Sequence, residues 1–335
     1  MQADPPQFPD HLPLGYAAVE ESVTYDPETH LQLEWPKRIW TLEEFGYGEN
    51  DINSCASSVA VTSPFRMLSE TGVKDLYAVA ANLKPLRTSL PGARVPSHLA
   101  GGVYRSKFLK DLCACPTLLE HMSKISGAPL IPHTMPSQQV YINYAPDDVS
   151  KAIDSWHFDG IGFDYVLMVT DPKKNKGGKF EYFQGTKHEV ASMFGLKEHE
   201  VRYGITDDLP VNQVIEVDFP AAGYAIFQQG NMVVHRATKL LEPADRITIV
   251  PGMVSGNVIP PDPTAKHDMP GYREPGIEAE LARHSAWLAS AKLNRFIQEA
   301  SLTDEVENLE SKLLDAVSDV TATLKYLKAG DKTAP

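Results

Sequence analysis

Two histidines and an aspartate constrain this chain more than any other feature. His157 and Asp159 are two positions apart, and His235 follows much later in the sequence. Side chains two apart on a β-strand point to the same face, so this pair can present two ligands together. Two imidazoles and one carboxylate on one face of a metal ion leave its other positions open. The sequence therefore predicts a metal centre of His157, Asp159 and His235 in a β-rich core.

A second pair, Arg246 and Thr248, follows His235 on an apolar run. A guanidinium beside a hydroxyl suits a carboxylate, because it can donate two parallel hydrogen bonds. With these residues the sequence resembles the Fe(II)/2-oxoglutarate-dependent oxygenase superfamily, whose pattern is His-x-Asp, a distal His and then Arg-x-Ser/Thr. The resemblance implies Fe(II), 2-oxoglutarate and O2 as cofactors. It also implies that Arg246 and Thr248 bind the distal carboxylate of 2-oxoglutarate.

Two further motifs carry the same resemblance. Asn143-Tyr144-Ala145-Pro146 resembles an Asn-Tyr-Tyr-Pro strand end in one branch, whose Asn and second Tyr contact the cosubstrate. Ala145 replaces that second Tyr, so the resemblance implies a cosubstrate contact for Asn143, and Tyr141 on the same face is the substitute candidate. The segment 177–188 resembles the Gly-Gly hairpin of phytanoyl-hydroxylase-like and halogenase-like oxygenases, with Gln184 where proline is usual.

These motifs imply an α+β protein with a double-stranded β-helix (jelly-roll) core, an N-terminal helical segment and a C-terminal helical hairpin. We expect residues 1–137 to form an N-terminal arm and helical scaffold, and residues 138–255 to form the catalytic core. Residues 256–335 should form a linker and the hairpin, packed on its own domain or on a second subunit. The chain is then a monomer or a homodimer through these helices.

Four local patterns give testable expectations. Ser63-Pro64 reads as a helix start, because serine caps helices and proline is favoured at their first position. Residues 155–170 read as one long strand that carries both His157 and Asp159. A short strand is expected around residues 31–35, and helical periodicity spans residues 104–125.

Composition limits the partners. The formal charge of −13 argues against nucleic acid, whose binding needs a basic surface. The N-terminus lacks a signal-like apolar run, and no uninterrupted apolar stretch reaches the length of a membrane span, so we expect a cytoplasmic protein without membrane contact. The three cysteines are too few for a disulfide framework and are expected to be reduced.

The resemblance implies oxidation of an unactivated C–H bond in a small amino-acid-like or natural-product substrate, most simply hydroxylation. Asp159 argues against halogenation, since halogenating relatives carry Gly or Ala there. Oxidative cyclisation, desaturation and a cupin-like metalloenzyme without 2-oxoglutarate stay open, and a demethylase or a binding protein is less favoured. Phe163, Arg105 and Arg202 are candidate substrate contacts. Arg87 and Arg94 are weaker candidates, for which surface charge is the default.

Overall fold

The computed structural model describes residues 3–89, 93–268 and 274–329. This part of the chain combines nine α-helices with two antiparallel sheets. The strands are β1 (Ile39–Thr41), β2 (Val59–Thr62), β3 (Phe65–Arg66), β4 (Thr88–Ser89), β5 (Ser97–Leu99), β6 (Leu130–Pro132), β7 (Tyr141–Tyr144), β8 (Ala152–His157), β9 (Phe163–Met168), β10 (Phe180–Phe183), β11 (Val214–Glu216), β12 (Tyr224–Gln228), β13 (His235–Lys239), β14 (Ile247–Val250) and β15 (Gly252–Ser255). The helices are α1 (Pro27–His30), α2 (Glu49–Asn53), α3 (Glu70–Leu83), α4 (Gly102–Arg105), α5 (Lys107–Cys113), α6 (Pro116–Ser126), α7 (Lys187–Phe194), α8 (Ile277–Glu299) and α9 (Val306–Ala329).

The central strands of the chain are divided between the two sheets. The smaller sheet has the order β11-β10-β13-β8, and the larger sheet runs β1-β2-β12-β9-β14-β7-β5-β4. In the larger sheet β3 also pairs with β12, and β15 joins β9 to β6. From β7 to β14 the chain passes back and forth between the sheets, and one cavity has walls from both.

Alternation along β7 and β14 separates the cavity from the core. Asn143 pairs with Thr248 across these strands, and both line the cavity. The next pair, Ile142 with Ile249, faces the opposite way and is fully buried in the main apolar core. Because side chains alternate along a strand, one register fixes both faces. A shift by one residue would place the isoleucines in the polar cavity.

The N-terminal helices cover the core face of the larger sheet. Helix α3 begins at Ser69, whose side chain accepts a hydrogen bond from the Gly72 N–H at 3.0 Å. Its buried face includes Leu76, Val79 and Leu83, which join the same apolar core as β7 and β14. Burial of each leucine contributes on the order of 2 kcal/mol. These helices therefore stabilise the sheet whose other face carries Asn143 and Thr248 in the cavity.

Two of the local expectations were wrong for residues 31–35 and 63–64. The chain begins β3 directly after Ser63-Pro64, and the Ser63 hydroxyl accepts a hydrogen bond from the Arg38 N–H at 3.0 Å instead of capping a helix. The capping serine is Ser69. Leu31 forms an isolated bridge with Leu68, and the Gln32 and Glu34 N–H groups donate to the Met67 and Arg66 carbonyls at 2.9 Å, but residues 31–35 form no regular strand. Local serine and proline signals cannot distinguish a helix cap from a strand edge.

The expected long strand is also wrong, since it is two strands in different sheets. β8 ends at His157 and β9 begins at Phe163, with a turn between them. Gly162 in this turn packs so closely that a Cβ atom would lie 2.9 Å from the Pro263 ring. The helical stretch over residues 104–125 is likewise divided into α4, α5 and α6, with Ser106 as the N-cap of α5.

The C-terminal helices pack on this scaffold through α8. Ile277 and Leu281 contact Met135, and the buried Glu280 carboxylate accepts hydrogen bonds from the Tyr104 and Ser137 hydroxyls at 2.6 and 2.7 Å. Helix α9 follows α8 as a hairpin. Linker residues 269–273 lie outside the described residues, and a dimer through this hairpin stays a prediction. None of the helices in the described ranges is both long enough and apolar enough to cross a bilayer.

Candidate metal centre

The two histidines of the predicted metal centre lie side by side on neighbouring strands of the smaller sheet. β8 and β13 pair in antiparallel register with His157 opposite His235, and their ring centroids are 4.2 Å apart. The register shifts beyond this pair, so that Ala237 lies opposite Asp154. Such a bulge places an extra residue in one strand and re-aims its side chains. Consequently Asp154 and His157, three residues apart, both line the cavity.

Asp159 reaches the histidines from the turn after β8 and not from the strand itself. Its N–H donates a hydrogen bond to the Gly230 carbonyl at 2.8 Å, which fixes the turn against the loop before β13. Its Oδ1 lies 3.4 Å from His157 Nε2, and its Oδ2 lies 3.5 Å from His235 Nε2. A Cβ atom on Gly230 would approach Asp159 Oδ2 to 2.5 Å. The close approach therefore requires glycine at position 230.

The protonation of the two imidazoles suits metal binding. Nδ1 of His157 and Nδ1 of His235 lie 2.7 and 2.9 Å from the carbonyl oxygens of Ser155 and Val233, so each Nδ1–H donates to backbone. This leaves both Nε2 lone pairs directed at Asp159. Burial lowers the pKa of His157 to about 3 and also lowers the pKa of His235, so both rings are neutral.

The aspartate completes the donor set. Burial alone would raise the pKa of Asp159, but the neighbouring His235 and His157 outweigh it and hold that pKa below its usual range. One ligand atom from each of the three residues lies within 4.8 Å of the others. Two neutral imidazole nitrogens and one carboxylate oxygen are the donors of a facial triad. The residues therefore fit a divalent transition metal such as iron.

Behind the aspartate lies a second buried acid that the sequence reasoning missed. The Gln228 side-chain amide donates to Asp164 Oδ1 at 3.0 Å and lies 3.4 Å from His235 Nε2. Burial, together with the charge of Asp159, raises the pKa of Asp164 well above its usual value, so this acid is neutral. A charged residue type inside the apolar run of β9 was the signal that could have revealed it.

The cavity beside the three ligands has a volume of about 230 Å³. On the larger sheet, a polar row crosses three strands: His98 pairs with Asn143, which pairs with Thr248. Tyr141 lines the cavity from the same face, with its hydroxyl 3.2 Å from the Gln138 amide nitrogen. The structure thus brings Asn143, Tyr141 and Thr248 together as the sequence predicts, and adds His98.

Arg246 lies at the inner wall of this cavity, just before β14. Its side chain is 1% exposed, and its Nε donates a hydrogen bond to the Gly178 carbonyl at 2.8 Å. Burial lowers the pKa of Arg246 to about 10, although Asp154 opposes the shift, so the guanidinium stays charged. Its Nη1 is buried and has no hydrogen-bond partner within the described ranges. A buried charged donor without a partner is costly, and a carboxylate ligand would satisfy it.

Arg94 also reaches the cavity, which the default expectation of surface charge did not anticipate. Its Nη1 donates to Asp154 Oδ1 at 2.7 Å, and both side chains line the cavity. Burial raises the pKa of Asp154 to about 7, and the contact with Arg94 opposes that rise. Arg87, in contrast, pairs with the exposed Asp147 at 3.2 Å and does not line the cavity.

The three predicted substrate contacts do not line the cavity of the metal ligands, and their role in substrate binding stays a prediction. Phe163 is 3% exposed and stacks on Phe227 at 6.0 Å, because its strand faces the apolar core. Arg105 lies over the Tyr16 ring at 4.6 Å. Arg202 pairs with Asp268 at 2.6 Å. Phe163 and Arg202 border a separate cavity near the linker, and none of the three lines the cavity of the metal ligands.

Comparisons with known proteins give matches of low similarity. The family model described as halogenase D (HalD) matches residues 103–262, just under half of the chain. No curated protein matches the chain significantly. Among solved structures, the non-heme alpha-ketoglutarate-dependent epimerase SnoN from nogalamycin biosynthesis matches with 15% identity and a TM-score of 0.41, covering 56% of this chain and 77% of SnoN.

Two further solved structures match. EvdO2 from Micromonospora carbonacea var. aurantiaca, complexed with 2-oxoglutarate, has 16% identity and a TM-score of 0.37, covering 66% of this chain and 93% of EvdO2. AviO1 from Streptomyces viridochromogenes Tue57 has 14% identity and a TM-score of 0.39, covering 61% of this chain and 92% of AviO1. The function proposed below rests on the side chains of this chain and not on these likenesses.

Proposed function

We propose that this chain is an Fe(II)/2-oxoglutarate-dependent oxygenase that oxidises a C–H bond of a small amino-acid-like or natural-product substrate. One observation carries the proposal: the donor set of His157, Asp159 and His235 shares a single cavity with the buried, unsatisfied Nη1 of Arg246. A metal alone would explain the donor set but not the unsatisfied Nη1 of Arg246. A carboxylate ligand bound beside the metal explains both observations.

The strand order supports a double-stranded β-helix core. The segments β12-β9-β14-β7 and β11-β10-β13-β8 each hold four antiparallel neighbours, and the eight strands are consecutive in the chain. This division of eight strands between two facing sheets is the jelly-roll arrangement. Such a core brings β8, β13 and β14 to one cavity although they are far apart in sequence, which is what the proposed site requires.

The roles of the residues follow from their positions. His157, Asp159 and His235 would hold the metal as two neutral imidazoles and one carboxylate. When bound, iron with 2-oxoglutarate and O2 supplies an oxidant that breaks an unactivated C–H bond, with release of succinate and CO2. Arg246 holds the distal carboxylate of the diacid, with Thr248 beside it. Asn143 of the polar row and Tyr141 on the same face orient the diacid in the cavity.

Hydroxylation is the reaction we favour. Asp159 would hold the metal through a carboxylate where halogenating relatives carry Gly or Ala, which argues against halogenation. The cavity of about 230 Å³ suits a small substrate beside the cosubstrate. Oxidative cyclisation and desaturation use the same residues and stay as alternatives. A cupin-like enzyme without 2-oxoglutarate would leave Arg246 without its ligand.

Anaerobic spectroscopy tests the proposal. Addition of Fe(II) and 2-oxoglutarate should produce a charge-transfer absorption band in the visible range. His235→Ala should abolish metal binding and the band. Arg246→Gln should retain the metal and lose most of the band at limiting 2-oxoglutarate. His188→Ala, an exposed histidine far from the ligands, serves as the control and should behave as the natural protein. Absence of the band in the natural protein would contradict the proposal.

A second measurement separates the alternatives. Under O2 the natural protein should convert 2-oxoglutarate to succinate, and an amino acid that is a substrate should accelerate this conversion. A cupin-like enzyme would consume O2 with its substrate but would release no succinate. Mass spectrometry of the product then distinguishes hydroxylation, which adds one oxygen atom, from cyclisation or desaturation, which remove two hydrogen atoms.

A further inference from the structure

The ion pair of Arg94 and Asp154 is an unusual feature of the proposed cosubstrate pocket. An acid beside the pocket of a dianion would repel the ligand unless a cation offsets it. Asp154 is 7% exposed and lines the cavity that Arg246 also lines. Arg94 comes from the segment before β5, outside the eight central strands, and its guanidinium contacts Asp154 at 2.7 Å. Nothing in the Arg-x-Thr motif accounts for this second arginine.

Contacts place the pair between both ends of the site. Asp154 Oδ1, which accepts the hydrogen bond from Arg94, also lies 3.3 Å from His157 Nδ1. Arg94, Asp154 and Arg246 line the same cavity. The pair therefore lies beside a metal ligand and in the cavity of the buried arginine, and it is not a surface contact.

Once Asp154 is ionised, the formal charges of the cavity balance only when Arg94 is included. Arg94 and Arg246 offset Asp154 and Asp159, and His157 and His235 are neutral when they bind a metal. Arg236 also lines the cavity, but its charge is already offset by Glu181 and Asp208 at 2.7 and 2.9 Å. A divalent metal then leaves two positive charges. A doubly charged anion neutralises them, whereas without Arg94 the filled site would carry an unbalanced negative charge.

We propose that Arg94, held by Asp154, is a second cationic residue of the 2-oxoglutarate pocket and is required with Arg246 for tight binding of the diacid. This inference rests on the proposed function. It assigns the diacid a binding residue outside the Arg-x-Thr motif. It also gives Asp154 a role, which is to hold the guanidinium at the cavity wall.

Calorimetry with the Mn(II)-loaded protein and 2-oxoglutarate tests the inference. Arg94→Gln should weaken 2-oxoglutarate binding by about tenfold or more, the loss expected when one charged hydrogen-bonding partner is removed. Its affinity for Mn(II) without 2-oxoglutarate should be unchanged or higher, because a nearby positive charge is gone. Arg94→Lys should fall between Arg94→Gln and the natural protein. Arg87→Gln, whose arginine pairs with an exposed aspartate, is the matched control and should bind as the natural protein.

Asp154→Asn supplies the readout that a structural role would not produce. The asparagine amide oxygen can still accept the hydrogen bond from Arg94, so the guanidinium stays at the cavity wall while a negative charge is lost. Asp154→Asn should therefore weaken Mn(II) binding and leave 2-oxoglutarate binding unchanged or tighter. If the pair only shaped the pocket, Arg94→Lys, which keeps the charge, would weaken 2-oxoglutarate binding as much as Arg94→Gln, and that result would overturn the inference. A change below about twofold in Arg94→Gln would also overturn it. If the natural protein binds Mn(II) but not 2-oxoglutarate, the proposed function itself fails.

Discussion

At the scale of single residues, the site depends on polar groups buried in an apolar protein. His157, His235 and Arg246 are at most 5% exposed, and each has one polar atom satisfied by a backbone carbonyl. The carbonyl fixes the orientation of the side chain and leaves its other polar atom directed at the cavity. A ligand then completes what the fold leaves unsatisfied.

Replacement of Arg246 by lysine should be severe although charge is conserved. Lysine cannot donate to the Gly178 carbonyl and to a carboxylate at once, because it lacks the planar fork of arginine. We expect 2-oxoglutarate affinity to fall by about tenfold to a hundredfold, with metal affinity unchanged, in calorimetric titrations. Arg38→Lys, at an exposed ion pair, is the control. Full affinity in Arg246→Lys would count against direct binding of the diacid by Arg246.

His133 should make the folded protein sensitive to acid. Its ring is fully buried against His284 of α8. Burial is the larger cause and the nearby His284 the second, and together they lower the pKa of His133 to about 3. The unfolded chain takes up this proton below its ordinary pKa of about 6.5, whereas the folded protein does not. Stability from this group is therefore present above that pKa and is lost as the pH falls towards 3.

Urea denaturation at two pH values measures this effect. Between about pH 7 and pH 5, His133 should account for a loss of about 2 kcal/mol in unfolding free energy. His133→Asn retains an acceptor for the Met135 N–H, to which His133 Nδ1 lies at 3.1 Å, and should show a smaller loss over the same interval. His188→Asn, on the surface, should keep the full loss. If His133→Asn lost as much unfolding free energy between these two pH values as the natural protein, the explanation would be refuted.

At the scale of elements, the sequence predicted which residues share a strand face better than it predicted where strands begin and end. Tyr141 and Asn143 lie on one face of β7 as expected, because side chains two apart on a strand point the same way. The break between β8 and β9 was missed, since a strand that continues and a strand that changes sheets have the same local pattern. The bulge in β8 that aims Asp154 into the cavity also depends on the pairing with β13, which no local pattern contains.

Gly178, just before β10, should be essential for placing Arg246. It has a φ of +65°, and a Cβ atom would lie 2.9 Å from Arg246 Cδ. Gly178→Ala should cost about 1 kcal/mol in stability from the left-handed backbone. It should also weaken 2-oxoglutarate binding several-fold, because the methyl group displaces the guanidinium.

A matched glycine isolates that second effect. Gly127 has a φ of +69°, and a Cβ atom there would meet nothing within 4 Å, so Gly127→Ala carries the backbone strain alone. Both variants should lose the stability that the left-handed backbone costs, with a larger loss in Gly178→Ala because its methyl group also meets Leu240 Cδ2 at 2.9 Å. Only Gly178→Ala should bind 2-oxoglutarate more weakly. Equal binding in the two variants would show that the contact with Arg246 does not matter.

At the scale of the whole molecule, long-range ion pairs join the C-terminal helices to the linker. Asp319 of α9 accepts from Lys266 of the linker at 2.6 Å and from Lys292 of α8 at 2.9 Å. These three side chains are 10% to 13% exposed. The linker in turn holds Asp262, which lies 2.8 Å from the buried His284 of α8. Segments far apart in sequence are therefore fixed together by a few charged groups.

Asp319→Asn tests this connection. Loss of the carboxylate leaves two largely buried lysines without their shared partner, so we expect a loss of about 1–3 kcal/mol in unfolding free energy by urea denaturation. Glu299→Gln removes an exposed partner of Arg295 and should cause no measurable change. Binding of 2-oxoglutarate should be retained in both variants. A stability equal to that of the natural protein in Asp319→Asn would show that the helices are held by apolar packing alone.

The sequence by itself determined the donor types, the polar row on β7 and β14, and the helical scaffold, because side-chain chemistry and periodicity are local properties. It did not determine which arginine reaches the cavity: Arg94 does, whereas Arg105 and Arg202 do not. That choice depends on how segments outside the central strands pack against the sheets. Burial and long-range pairing decide it, and both arise only when the chain has folded, which is why the tertiary structure was needed.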